Sequence, residues 1–131
     1  MPTFIFDKLV RDKVLERCLE DPKVKTNYRT LDPQDYKKEL IAKIHEETNE
    51  VPIRDIRDDE IISELADVQT VIDALLKAYG ISSEQLLQFK EKKFAKNGGF
   101  EKRAYIASID LEDDSEWIEV FRSQPEKYRE L

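Results

Sequence analysis

Five carboxylates within a short stretch could do chemistry together: Glu46-Glu47-x-x-Glu50, then thirteen residues, then Glu64-x-x-Asp67, with apolar residues threaded between them. At about 100° per residue on a helix, Tyr36, Leu40, Ile44 and Val51 share one stripe, and Glu47 falls on it between Tyr36 and Leu40. Glu50 lies about 60° from Glu47, at the stripe's edge, and Glu46 about 100° away, at the rim. The same arithmetic places Glu64 among Val68, Val71 and Leu75, with Asp67 about 60° away beside Ala74 and Ala78. Inward carboxylates are costly to desolvate and repel one another, and one or two divalent cations offset both effects. A donor set of oxygens favours Mg²⁺ or Mn²⁺ over zinc, because the chain has one cysteine, Cys18, and one histidine, His45. The competing reading is a pair of solvated Glu-rich faces salt-bridged to Lys43 and other lysines. Coincidence of the acids with the apolar stripe weighs against it.

The elements that must hold these acids can be read from periodicity and punctuation. A first helix is expected over residues 8–20, with Leu9, Val10, Val14 and Cys18 inward, ended by Asp21-Pro22. Asp32-Pro33 opens a second as cap and first helical residue, and it continues to Val51, where Pro52 stops it. The third spans 58–79 with Ile61, Leu65, Val68, Ile72, Leu75 and Tyr79 as its core spacing and Gly80 as its left-handed stop. Ser82 and Gln85 form a capping box for a fourth helix that carries Leu86, Leu87 and Phe94 as far as Asn97-Gly98-Gly99. Beyond it, residues 100–109 alternate loosely and are read as a short strand that pairs with residues 3–6. Residues 110–114 are acidic and turn-like, and 115–122 form a short amphipathic helix with Trp117, Ile118 and Phe121 as apolar contacts. The fold class is therefore all-α: a four-helix bundle-type core in a single domain, completed by oligomerisation, with short extended segments at the termini.

Composition agrees and excludes. The chain has 131 residues, 39% charged and 40% apolar, with three Gly and five Pro, which favours helices over a loop-rich or all-β design. A net charge of −7 argues against binding nucleic-acid polymers or anionic membrane, since both need a positive surface. No stretch approaches the roughly 18 apolar residues of a membrane helix, and the N-terminus lacks a basic segment before its apolar run, so a cytoplasmic protein is expected. His45 falls on the polar side of the second helix and reads as a surface residue, and Cys18 as a packed helical thiol. Lys8 and Arg11 sit three apart on one helical face. Lys93, Lys96, Lys102 and Arg103 cluster around Gly98-Gly99, where backbone amides can approach a phosphate. They are candidate grips for an anionic substrate, against the plain alternative of solvated surface cations.

Ordered in this way, the motifs resemble the all-α nucleoside triphosphate pyrophosphohydrolases, the MazG-like and phosphoribosyl-ATP pyrophosphohydrolase-like group. Besides E-E-x-x-E and E-x-x-D, Lys8-Leu9-Val10-Arg11-Asp12-Lys13 resembles the K-L-V-R-D-K opening of one branch, and residues 96–103, K-N-G-G-F-E-K-R, resemble its close. The resemblance covers about residues 5–107 and leaves 108–131 as an acidic C-terminal extension outside the pattern. It implies a helical core finished by forming a homodimer or homotetramer. It also implies Mg²⁺, or Mn²⁺ as substitute, bound by Glu47, Glu50, Glu64 and Asp67, and hydrolysis of a nucleotide between its α- and β-phosphates. Glu46 or Glu50 would then orient or deprotonate the attacking water, and Lys8, Arg11, Lys93, Lys96, Asn97, Lys102 and Arg103 would contact substrate. Such an activity suits the clearing of surplus or noncanonical nucleotides. A catalytically silent helical module that senses a nucleotide or binds a protein is the alternative.

Overall fold

The computed structural model describes residues 1–131 as five α-helices and no strand. These are α1 (Asp12–Glu20), α2 (Pro33–Asn49), α3 (Asp59–Ala78), α4 (Ser83–Asn97) and α5 (Trp117–Arg122). The chain divides into two compact units, Met1–Lys93 and Phe94–Leu131, with the boundary inside α4.

Within the first unit the helix ends follow from their capping chemistry. Asp32 accepts from the Asp35 amide at 2.8 Å, and Pro33 takes the first helical position, where its missing N–H costs nothing. Asp58 does the same for α3 by accepting from Ile61, and Gly80 closes that end at φ +67°. The Ser82 hydroxyl accepts from the Gln85 amide at 3.1 Å while the Gln85 side chain accepts from the Ser82 amide at 2.9 Å, the reciprocal box expected at the start of α4.

The helices α2 and α3 pack against each other and form the framework of this unit. Each contributes one buried side chain: Leu40, 2% exposed, on α2, and Val71, 8% exposed, on α3. Tyr36, Ile44 and Glu47 flank Leu40 half-buried, while Ile61, Glu64, Val68, Ile72 and Leu75 flank Val71. The buried arc of α3 is thus rotated toward Glu64 and Val71 from the expected stripe. Leu65 and Tyr79, expected in the core, are more than half exposed, and the Lys37 ammonium sits 4.5 Å from the Tyr79 ring centroid. That placement leaves an apolar strip on the outer side of α3.

Two expectations are corrected. The first helix begins at Asp12, not Lys8: Asp7 is in the left-handed region at φ 43°, and Arg11 is extended at φ −65°, ψ 150°. Lys8 and Arg11 therefore do not share a helical face. The segment is instead tied down by ion pairs to distant acids, described below, and those contacts override its local periodicity. The expected strands at residues 3–6 and 100–109 do not form. An isolated two-stranded ladder is marginal in water, and neither segment alternates cleanly enough to bury one face.

The second unit starts with the last turn of α4. Gly98 adopts φ +74° and donates to the Phe94 carbonyl at 2.7 Å. A side chain at Gly99 would come within 3.1 Å of the Phe94 ring, so glycine there is explained by packing. Further on, α5 presents Trp117 stacked on Phe121 at 5.9 Å between centroids, and Tyr128 closes on Phe121 at 4.7 Å. Two hydrogen bonds from Arg122 to Glu130, at 2.9 and 2.7 Å, fasten the C-terminus to this small aromatic cluster.

Candidate metal centre

Pairing of α2 with α3 brings one carboxylate oxygen from each of Glu47, Glu64 and Asp67 within 4.8 Å of one another. Three of the four acids read as ligands from the motifs meet in this way, without Glu50. Glu47 is 12% exposed in its side chain and Asp67 36%. The decisive atom is Glu64 Oε2, which is sealed from solvent and has no hydrogen-bond partner. Burial pushes the Glu64 carboxyl up from its ordinary value, and the charges of Glu50, Asp67, Glu47 and Glu60 push it further. A buried, unpartnered carboxylate oxygen beside two other acids is a poor structural element and a good cation ligand.

The neighbouring acids are supplied with cations by the chain itself. Lys43 Nζ lies 3.2 Å from Glu46 and 3.3 Å from Glu47, reaching one turn along α2 to both. Lys8 adds a second ammonium to Glu46 at 3.3 Å, and Arg11 binds Asp67 at 2.6 Å. Burial alone would raise the Glu46 carboxyl, but Lys43 and Lys8 outweigh it and hold it below its ordinary value. The Lys43 ammonium is pulled down by burial and, more strongly, raised by hydrogen bonds and charge from Glu46 and Glu47. Lys8, Arg11 and Lys43 thus pair with Glu46, Glu47 and Asp67, whereas Glu64 forms no ion pair and feels the charges of its acidic neighbours. A divalent cation held there would offset that repulsion, and an oxygen-only donor set is of the type that suits Mg²⁺ or Mn²⁺.

Glu50 is the C-cap of α2 and exposed, outside the three-oxygen cluster, though its charge acts on Glu64. Lys93 is exposed on α4 and forms no ion pair. Lys96, Asn97, Lys102 and Arg103 belong to the second unit, where all four are exposed and the three cations form no ion pair. Arg103 adopts φ 51°. His45 is exposed on α2, opposite in character to a buried base. Lys43 pairs with Glu46 and Glu47 as the competing reading of solvated, salt-bridged faces expected, and it was not among the candidate site residues. Its signal was present in its spacing, three and four residues before Glu46 and Glu47, where a lysine reaches both acids on one helix face.

Compared with known proteins, the chain matches no family model, no curated protein and no solved structure. No helix is long and apolar enough to cross a membrane.

Proposed function

We propose that this chain is a Mg²⁺-dependent nucleotide pyrophosphohydrolase of the all-α, MazG-like kind, cleaving between the α- and β-phosphates to give a monophosphate and pyrophosphate. The observation that carries the reading is the meeting of Glu47, Glu64 and Asp67 around an orphaned Glu64 oxygen, on the two helices that bear the resembling motifs. These three would hold the ion, with Glu50 as a fourth ligand from the end of α2. The ion supplies neutralisation of charge on the phosphate oxygens and on the leaving pyrophosphate.

The chain's own residues do the rest. Glu46, kept ionised by Lys43 and Lys8, accepts a hydrogen bond from the attacking water, aims its oxygen at the α-phosphorus and takes its proton as the attack proceeds. As the new P–O bond forms, the bond to the bridging oxygen breaks and pyrophosphate leaves, in line with the attack. Lys8 and Arg11 are exposed enough to meet the phosphate tail. With Mg²⁺ and a panel of nucleoside triphosphates, pyrophosphate should appear in step with the monophosphate. Release of orthophosphate instead would refute cleavage at the α-β position.

A silent module remains the second reading, and one observation favours it: Arg11 and Lys43 already occupy oxygens of Asp67 and Glu47. Such pairs would let the acid cluster persist as a purely structural network. Turnover separates the two, since a silent module hydrolyses no nucleotide at any metal concentration.

The reading also includes a second copy of the chain. Ile62 and Leu65 on α3 and Leu87 and Phe89 on α4 are among the exposed large apolar residues. Apolar side chains of this kind are what a permanent subunit interface covers. Sedimentation equilibrium should give twice the 15.5 kDa chain mass or a higher multiple. A monomer at micromolar concentration would rule this out.

A further inference from the structure

Arg11 differs from the other two cations of the site. Its backbone is fixed at the start of α1, where its carbonyl accepts from the Val14 and Leu15 amides at 3.0 and 3.2 Å. Its side chain is 57% exposed and makes a single hydrogen bond, 2.6 Å to Asp67 Oδ1. Lys43, by contrast, is 16% exposed and bridges two acids of its own helix, and Lys8 pairs with Glu46, outside the three-oxygen cluster. Arg11 is therefore the one cation that combines a hold on a triad carboxylate, an anchored base and a guanidinium free to swing into solvent.

Resting on the metal reading above, we infer that Arg11 is a metal-released latch: its guanidinium competes with a divalent cation for Asp67, and metal entry frees it for an anionic phosphate. Before metal binds, the guanidinium offsets part of the charge that Asp67 adds to the cluster. Once the ion takes Asp67, the like charges of ion and guanidinium repel, and Arg11 is driven off. A released guanidinium presents a planar fork that matches phosphate oxygens, which a lysine ammonium does not. Metal and phosphate binding are then coupled in both directions, because an anion that captures Arg11 leaves Asp67 to the metal.

The test uses Mn²⁺ alone, with free ion counted by electron paramagnetic resonance on the full chain in the absence of any nucleotide. Arg11→Gln should bind Mn²⁺ about two- to fivefold more tightly than the wild type, the range set by an exposed ion pair. Arg11→Lys, which keeps the charge without the fork, should fall between them. Lys8→Gln removes one positive charge from Glu46 instead and should tighten binding less. Wild-type or weaker affinity in Arg11→Gln overturns the latch, as does an equal gain in Lys8→Gln, which would reduce the effect to general charge. Those outcomes leave the metal reading standing. It fails separately if Glu64→Gln binds Mn²⁺ as the wild type does, or if the wild type binds none.

Discussion

Glu64→Gln is expected to abolish metal-dependent pyrophosphate release while raising the melting temperature of the metal-free protein at neutral pH. Both effects come from the same oxygen. With metal, Oε2 is the ligand that has no other partner, and its loss should lower turnover at least about 100-fold, the upper end of what losing even an outer-shell partner costs. Without metal, the ionised carboxyl is a liability, because burial first and the charges of Glu50, Asp67 and Glu47 next hold its pKa above the ordinary 4.5. The folded state binds the Glu64 proton more tightly than the unfolded chain does. Stability therefore falls as pH rises from that ordinary value through the raised one, and the penalty is fully present above it. Glutamine removes the penalty, so the gap between variant and wild type should be widest near neutrality and close as the pH falls and Glu64 is protonated. Thermal melts with chelator across this range read it directly. A variant that melts below the wild type at neutral pH, or that keeps full turnover, would mean that Glu64 does not sit as a strained ligand.

How far the sequence carried this site depends on the kind of signal. The helices α2 and α4 were legible because Asp32-Pro33 and Ser82 with Gln85 act over three residues, and a local hydrogen bond needs no knowledge of the rest of the chain, while α3 was legible from its apolar spacing and the Gly80 stop. The inward turn of Glu47 and Glu64 was legible for a similar reason, since one helix's periodicity fixes it. What periodicity misread is whatever depends on a partner far along the chain. Lys8 and Arg11 look helical by spacing, yet they pair with Glu46 and Asp67, 38 and 56 residues away, and their segment precedes the helix. Leu65 and Tyr79 complete an apolar pattern on paper, but the arc that meets α2 is centred on Val71. The cations of the Gly98-Gly99 turn remain in the second unit with no ion pair, so their part in the site rests on the motif alone.

Leu40→Ala should produce the largest loss of stability, about 2–5 kcal/mol by the usual cost of truncating a buried leucine. At 2% exposure Leu40 is the most buried side chain in the molecule, and it lies on the face of α2 that packs against α3. Against a typical total of roughly 5–15 kcal/mol, such a loss could leave the metal-free protein barely folded at 37 °C. Its consequence reaches the site, because Glu47 is on one helix of this pair and Glu64 and Asp67 are on the other. The triad's oxygens converge only while the helices stay paired, so a ligand that binds the converged triad must stabilise the pairing. Mg²⁺ at about a hundred times its dissociation constant should return up to about 2.7 kcal/mol. The double variant Leu40→Ala, Glu64→Gln should gain little or nothing from the same Mg²⁺. Equal recovery in both would place the bound ion elsewhere on this acidic surface, and wild-type melting of Leu40→Ala would deny that the α2–α3 contact frames the acids.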